Sequence, residues 1–165
     1  ANLPALDACI AHARAQGATD FAILGDIVGY GPHPSEVIER CRELQHEGAV
    51  VLRGNHDVLP VNPVLTGSTW GDMTAAWTFR HIDDGQREWL AQLPLTATRG
   101  SVFLVHATAD APDKWHYVLD ERLASRSLDA ATRHAAPPAP VHLGLRRGQG
   151  GGGARLGTRG GRLRA

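Results

Sequence analysis

Residues 21–26 read Phe-Ala-Ile-Leu-Gly-Asp, and residues 49–57 read Ala-Val-Val-Leu-Arg-Gly-Asn-His-Asp. In each stretch a short apolar run gives way to glycine and polar side chains, the pattern of a buried strand ending in a loop. Between the two runs, Pro34-Ser35-Glu36 opens a helical pattern that turns Val37, Ile38, Cys41 and Leu44 inward, and Gly48 closes it. A helix and strand alternating in this way predict parallel strands joined by crossover helices, an α/β fold. In open α/β sheets, ligands collect at the carboxyl ends of the strands. Asp26, Asn55 and His56 fall there. A carboxylate with an amide oxygen suits a hard divalent cation, and an added imidazole suits a transition metal. The flanking glycines allow sharp turns and the close approach of a ligand.

Outward from this centre the chain stays legible. Asn2 can cap a helix that tolerates Pro4 in its first turn, with Leu3, Leu6, Ile10 and Ala13 recurring at helical spacing and Gly17 as a stop. Strands are expected at 20–24 and 49–52. Residues 58–69 read as a loop, residues 71–80 and 84–93 as two helices carrying Trp77, Trp89, Leu90 and Leu93, and Pro94 as a terminator. Leu95–Thr98 and Ser101–Val105 predict a hairpin across Arg99-Gly100, and His106 stands directly after its second strand. A last helix is expected within 117–134. From residue 136, Ala-Ala-Pro-Pro-Ala-Pro leads into a stretch dominated by Gly and Arg. Such a composition cannot bury enough apolar surface to fold. The expected organisation is therefore a domain over 1–135 and a disordered tail over 136–165, the tail reading as an out-of-frame translation of a GC-rich gene.

A length of 165 residues, 42% hydrophobic, is one domain's worth with room for a core. The net charge of zero hides an asymmetry. Residues 1–140 hold all 17 acidic groups and 11 of the 17 basic ones, a balance of −6, while 141–165 carry six Arg and no acid. The tail has the charge for nucleic acid but one Arg-Gly-Gly and no interleaved aromatic ring for stacking, so nucleic-acid binding is the minor reading. Cys9 and Cys41 both lie in helical patterns and read as reduced core residues, which fits a cytoplasmic setting. No apolar run approaches the roughly 18 residues of a membrane span. The glycines after Asp26 are not a P-loop, since no Lys-Ser/Thr follows them.

Gly25-Asp26, Gly54-Asn55-His56-Asp57 and the lone His106, in that order and each after a strand, resemble the calcineurin-like metallophosphoesterases. The string 25–32, Gly-Asp-Ile-Val-Gly-Tyr-Gly-Pro, is similar to a bacterial subgroup related to diadenosine tetraphosphatases and Ser/Thr protein phosphatases. The resemblance implies layered β sheets flanked by helices and two-metal hydroxide attack on a phosphate ester. It implies Asp26 as a carboxylate bridging two divalent cations and Asn55 and His106 as ligands of the second. His56 would serve the leaving group, with Asp57 orienting its ring. Mn²⁺ is the first choice of metal, with Fe, Zn, Ni or Co also compatible. Two family elements have no counterpart here: an opening Asp-x-His on a first strand and a late Gly-His-x-His, near whose place stands Val141-His142-Leu143-Gly144. The expectation is thus an incomplete copy that holds one metal or none and turns over poorly, with a catalytically inactive binding remnant as the alternative. The substrate would be a nucleotide, a phosphoprotein or a small phosphodiester. His33, in Gly-Pro-His-Pro, and His116-Tyr117 are substrate-side candidates, while His12, His46 and His81 read as surface residues.

Overall fold

Helix α1, Leu3–Ala15, starts where the side chain of Asn2 accepts the N–H of Ala5 at 3.1 Å, and it ends at Gly17 with φ +88°. Its inward stripe is only partly covered: Ile10 is buried, while Leu3 and Leu6 are half-buried against the core. Cys9 lies on the outer face of this helix and is exposed, against the expectation of a core thiol, whereas Cys41 is buried. The helical spacing of Cys9 fits either face; in the structure its neighbour Ile10 takes the buried face.

Strands β1, Ala22–Ile23, and β2, Val50–Val51, pair in parallel with Ala22 opposite Val50 and Ile23 opposite Val51. Helix α2, Pro34–His46, crosses between them and buries Val37, Ile38, Cys41 and Leu44, the stripe read from the sequence. Both strands are shorter than 20–24 and 49–52. The ladder continues one bond beyond each end, from the Val50 N–H to Phe21 O at 3.0 Å and from the Leu52 N–H to Ile23 O at 2.8 Å. It stops where Gly25 turns the backbone to φ +101°.

After β2, where the sequence predicts a loop, the chain makes a helical turn. Asn55–Val58 form this turn, α3, because the Asp57 carboxylate reaches back to the N–H of Gly54 at 2.8 Å. Helices α4, Trp70–His81, and α5, Asp84–Gln92, each begin with a reciprocal cap, Thr69 with Asp72 and Asp83 with Gln86. Strands β3, Thr96–Arg99, and β4, Val102–Val105, form the antiparallel hairpin, turning at Gly100 with φ +60°. A 3₁₀ turn at Pro112–Lys114 and helix α6, Glu121–His134, complete the order. The core joins Ile27, Val28, Val37, Ile38, Cys41 and Val51 to Ile82, Leu90 and Leu93, so α2 and α5 pack around the parallel pair.

The computed structural model describes residues 1–64 and 66–134; the Pro/Gly/Arg-rich stretch from 136, with His142, lies outside the described residues. Among the described residues no helix is long and apolar enough to cross a membrane.

Candidate active site

The loop after β1 and the turn after β2 touch backbone to backbone. A Cβ on Gly25 would stand 2.4 Å from the Gly54 nitrogen, and one on Gly54 would stand 2.3 Å from the Asp26 nitrogen. No side chain fits at that distance, so the spacing of the two loops demands glycine on both sides. Asp26 itself has φ +54°, the left-handed region, which costs a residue with a Cβ about 1 kcal/mol.

Asp57 holds this junction. It is fully buried. One carboxylate oxygen accepts the N–H groups of Ile27 at 2.8 Å and Val28 at 3.1 Å, and the other accepts those of Asp26 at 2.9 Å and Gly54 at 2.8 Å. Burial pushes its pKa up, and the N–H bonds from Gly54, Val28 and Ile27 hold the rise back. Both oxygens are thus taken by main-chain donors. The expected contact with the imidazole of His56 is not made, because the carboxylate fastens the two loops together instead.

Asp26 Oδ1 accepts the N–H of His56 at 3.0 Å, and His106 arrives from the end of β4. The imidazole Nδ1 of His106 lies 2.7 Å from Leu24 O. A carbonyl only accepts, so Nδ1 carries the proton and the other ring nitrogen presents a lone pair. That nitrogen, Nε2, is 3.2 Å from Asn55 Oδ1 and 3.5 Å from Asp26 Oδ1. Asp26, Asn55 and His106 therefore meet at one point, although Asn55 and His106 are 51 positions apart in the chain. In the neutral ring this nitrogen and the two oxygens are close enough to share one ligand. A carboxylate oxygen, an amide oxygen and an imidazole nitrogen fit a divalent transition metal there. Among the described residues, no group of three or more His, Cys, Asp or Glu side chains gathers; this centre has two such groups and an amide.

The remaining candidates separate. His56 packs on the loop it faces: a Cβ on Gly29 would meet its Nδ1 at 2.8 Å, and its ring centroid lies 5.0 Å from that of Tyr30. His56 Nδ1 is buried and has no hydrogen-bond partner among the described residues. His33 is the N-cap residue of α2, half-buried, its N–H bonded to Ala1 O at 3.2 Å. His116 and Tyr117 are exposed. The ring that meets the centre from that segment is Trp115, edge-on to His106 at 6.0 Å, turned there by its own left-handed φ of +56°. Trp115 and Tyr30 were not singled out from the sequence. Their one sequence signal is that each is an aromatic residue within a few positions of a candidate, and spacing does not say which neighbour turns inward.

The sequence matches the calcineurin-like phosphoesterase family over residues 1–149. It is 32% identical over 126 residues to an uncharacterized protein of Methanocaldococcus jannaschii, a match covering 73% of this chain and 51% of that protein. A solved metallophosphoesterase from Sphaerobacter thermophilus superposes with a TM-score of 0.64 at 32% identity, covering 79% of this chain and 51% of that one. The chain thus spans about half the length of these relatives. With Gly25-Asp26, Gly54-Asn55-His56-Asp57 and His106 assembled at one edge of the parallel pair, the chain belongs to the calcineurin-like phosphoesterase family.

Proposed function

We propose that this chain carries the Asp26–Asn55–His106 half of a metal-dependent phosphoester hydrolase site. The observation that supports this reading is the lone pair of His106 Nε2 directed at two oxygens, with the ring's proton pinned on Leu24 O. A divalent cation bound there supplies Lewis acidity toward phosphoryl oxygens and lowers the pKa of water. Mn²⁺ fits first, and Fe, Zn, Ni and Co fit the same mixed donors. Asp26, Asn55 and His106 would together hold one such cation.

The protein's own groups have distinct tasks. Asp57 keeps both loops at their spacing. Asp26 holds the His56 backbone through Oδ1, which sets where that ring stands. With its Nδ1 buried, His56 would meet a substrate through Nε2, where an N–H can donate a hydrogen bond to the leaving oxygen. Free cysteines fit a cytoplasmic setting.

The test is a Mn²⁺ titration beside an assay on an aryl phosphate. About one metal per chain with turnover supports the hydrolase. Metal without turnover supports the alternative of an inactive binding remnant. Neither metal nor turnover defeats the assignment of these donors.

A further inference from the structure

We propose that the groove between the 29–32 loop and helix α4 is the leaving-group subsite, and that it takes a flat, uncharged aromatic ring. This rests on the hydrolase reading above and narrows its substrate class. The groove encloses about 360 Å³ and is lined by Tyr30, Pro32, Trp70, Met73 and Trp77, with Gly29, Gly31 and Thr74 completing it. That volume lies at the low end of the ~300–1,000 Å³ of small-molecule sites, enough for one mono- or bicyclic ring.

Position decides what such a ring would belong to. Tyr30 is the fourth residue after Asp26, and its ring stands 5.0 Å from that of His56, tilted by 53°. Gly29 and Tyr30, which line the groove, both pack on His56, so the groove opens beside the imidazole proposed to face the leaving oxygen. A group bonded to that oxygen would extend into it.

Chemistry decides what the ring would be. No charged side chain lines the groove among the described residues, so a charged group would be desolvated there without a partner. Two indoles, a phenol and a thioether offer π-faces and a polarisable sulfur, which favour stacked aromatic partners. Trp70 is 78% exposed, Tyr30 55% and Met73 52%, an apolar cluster left open to water on one rim of the site. The platform is also held in place. Trp77 stacks on His81 at 3.9 Å, and the cap between Thr69 and Asp72 fixes the first turn of α4, where Trp70 begins.

A nucleobase and a simple aryl ester share this chemistry, so the test separates them. Binding of 2-naphthyl phosphate, adenosine monophosphate and glycerol 2-phosphate to the full chain is measured by calorimetry, with and without Mn²⁺. Both aromatic phosphates should bind about tenfold tighter than glycerol phosphate, the scale of one stacked ring. A preference for the naphthyl ester alone assigns the site to aryl esters, and one for the nucleotide assigns it to nucleobases. Trp70→Ala should erase the preference while leaving Mn²⁺ affinity at Asp26, Asn55 and His106 unchanged. Trp77→Ala serves as the second variant, with circular dichroism to verify that each is folded. Equal binding of all three phosphates by a chain that binds Mn²⁺ overturns the subsite and spares the hydrolase reading. Loss of Mn²⁺ binding with ring preference intact does the reverse. A shift to monomer in Trp70→Ala, with no ring preference in the parent, would make the groove a self-association face and overturn the proposal.

Discussion

The two sides of the candidate centre are built on opposite principles. On one side, residues 25–28 and 54–57 are positioned by main chain: two glycines in contact and one buried carboxylate that accepts four N–H bonds. On the other side the contacts are made by side chains: the ring of His106 is anchored on Leu24 O, and Trp115, turned by its left-handed φ, meets that ring edge-on. The lesson is about tolerance. A junction made of backbone contacts has one solution, and any added atom or lost acceptor propagates through both loops. A wall whose ring contacts come from half-buried side chains can lose one of them and keep its shape.

The sharpest way to break this contrast is Asp57→Ala. It strands N–H groups of Asp26, Ile27, Val28 and Gly54 in a buried place, and unfolding in urea should show a loss of at least about 3 kcal/mol. Asp57→Asn keeps one acceptor oxygen and should fall between that variant and the parent. If Asp57→Ala costs less than about 1 kcal/mol, the junction is not held by this carboxylate.

Next come Gly25→Ala and Gly54→Ala. Each places a methyl group less than 2.5 Å from the partner loop's backbone, so each should lose roughly 2 kcal/mol or more by the same measurement. A control at Gly48, where a Cβ meets nothing within 4 Å but φ is +103°, should cost about 1 kcal/mol, from backbone conformation alone.

His106→Ala probes the other side. The expected outcome is at least a tenfold loss of Mn²⁺ affinity, roughly 1.4 kcal/mol of binding, with the urea midpoint nearly unmoved. A large stability loss with metal binding intact would invert the comparison. Tyr117→Ala, at a side chain 77% exposed, should change stability by less than about 0.5 kcal/mol.

The cysteines sharpen the contrast at the level of reactivity. The Cys41 thiol is pushed up to about 12 by burial, with the Asp57 charge adding to the rise, so it stays protonated at mildly alkaline pH. Cys9 is exposed. A thiol reagent at pH 8 should label one cysteine per chain quickly and the second only in denaturant. Rapid labelling of both would mean that α2 opens readily.

The sequence alone determined the parallel β1–α2–β2 unit, the hairpin and the strand-end places of Asp26, Asn55 and His106. These were legible because each rests on a local signal: an apolar run of strand length, a helical stripe such as Val37, Ile38, Cys41 and Leu44, or a glycine at a forced turn. Periodicity acts over a few residues, and the chain prints it directly. The tertiary structure decided the partners. That Asp57 serves two loops rather than the imidazole beside it, that Leu24 O sets the tautomer of His106, and that Trp115 rather than Tyr117 meets the site all depend on atoms brought together from far along the chain. The same holds for the groove of Tyr30, Trp70 and Trp77, where a loop and a helix some forty positions apart share one surface. No local pattern encodes such meetings, because a hydrogen bond or a stacked ring is fixed by distance in space and only loosely by distance in sequence.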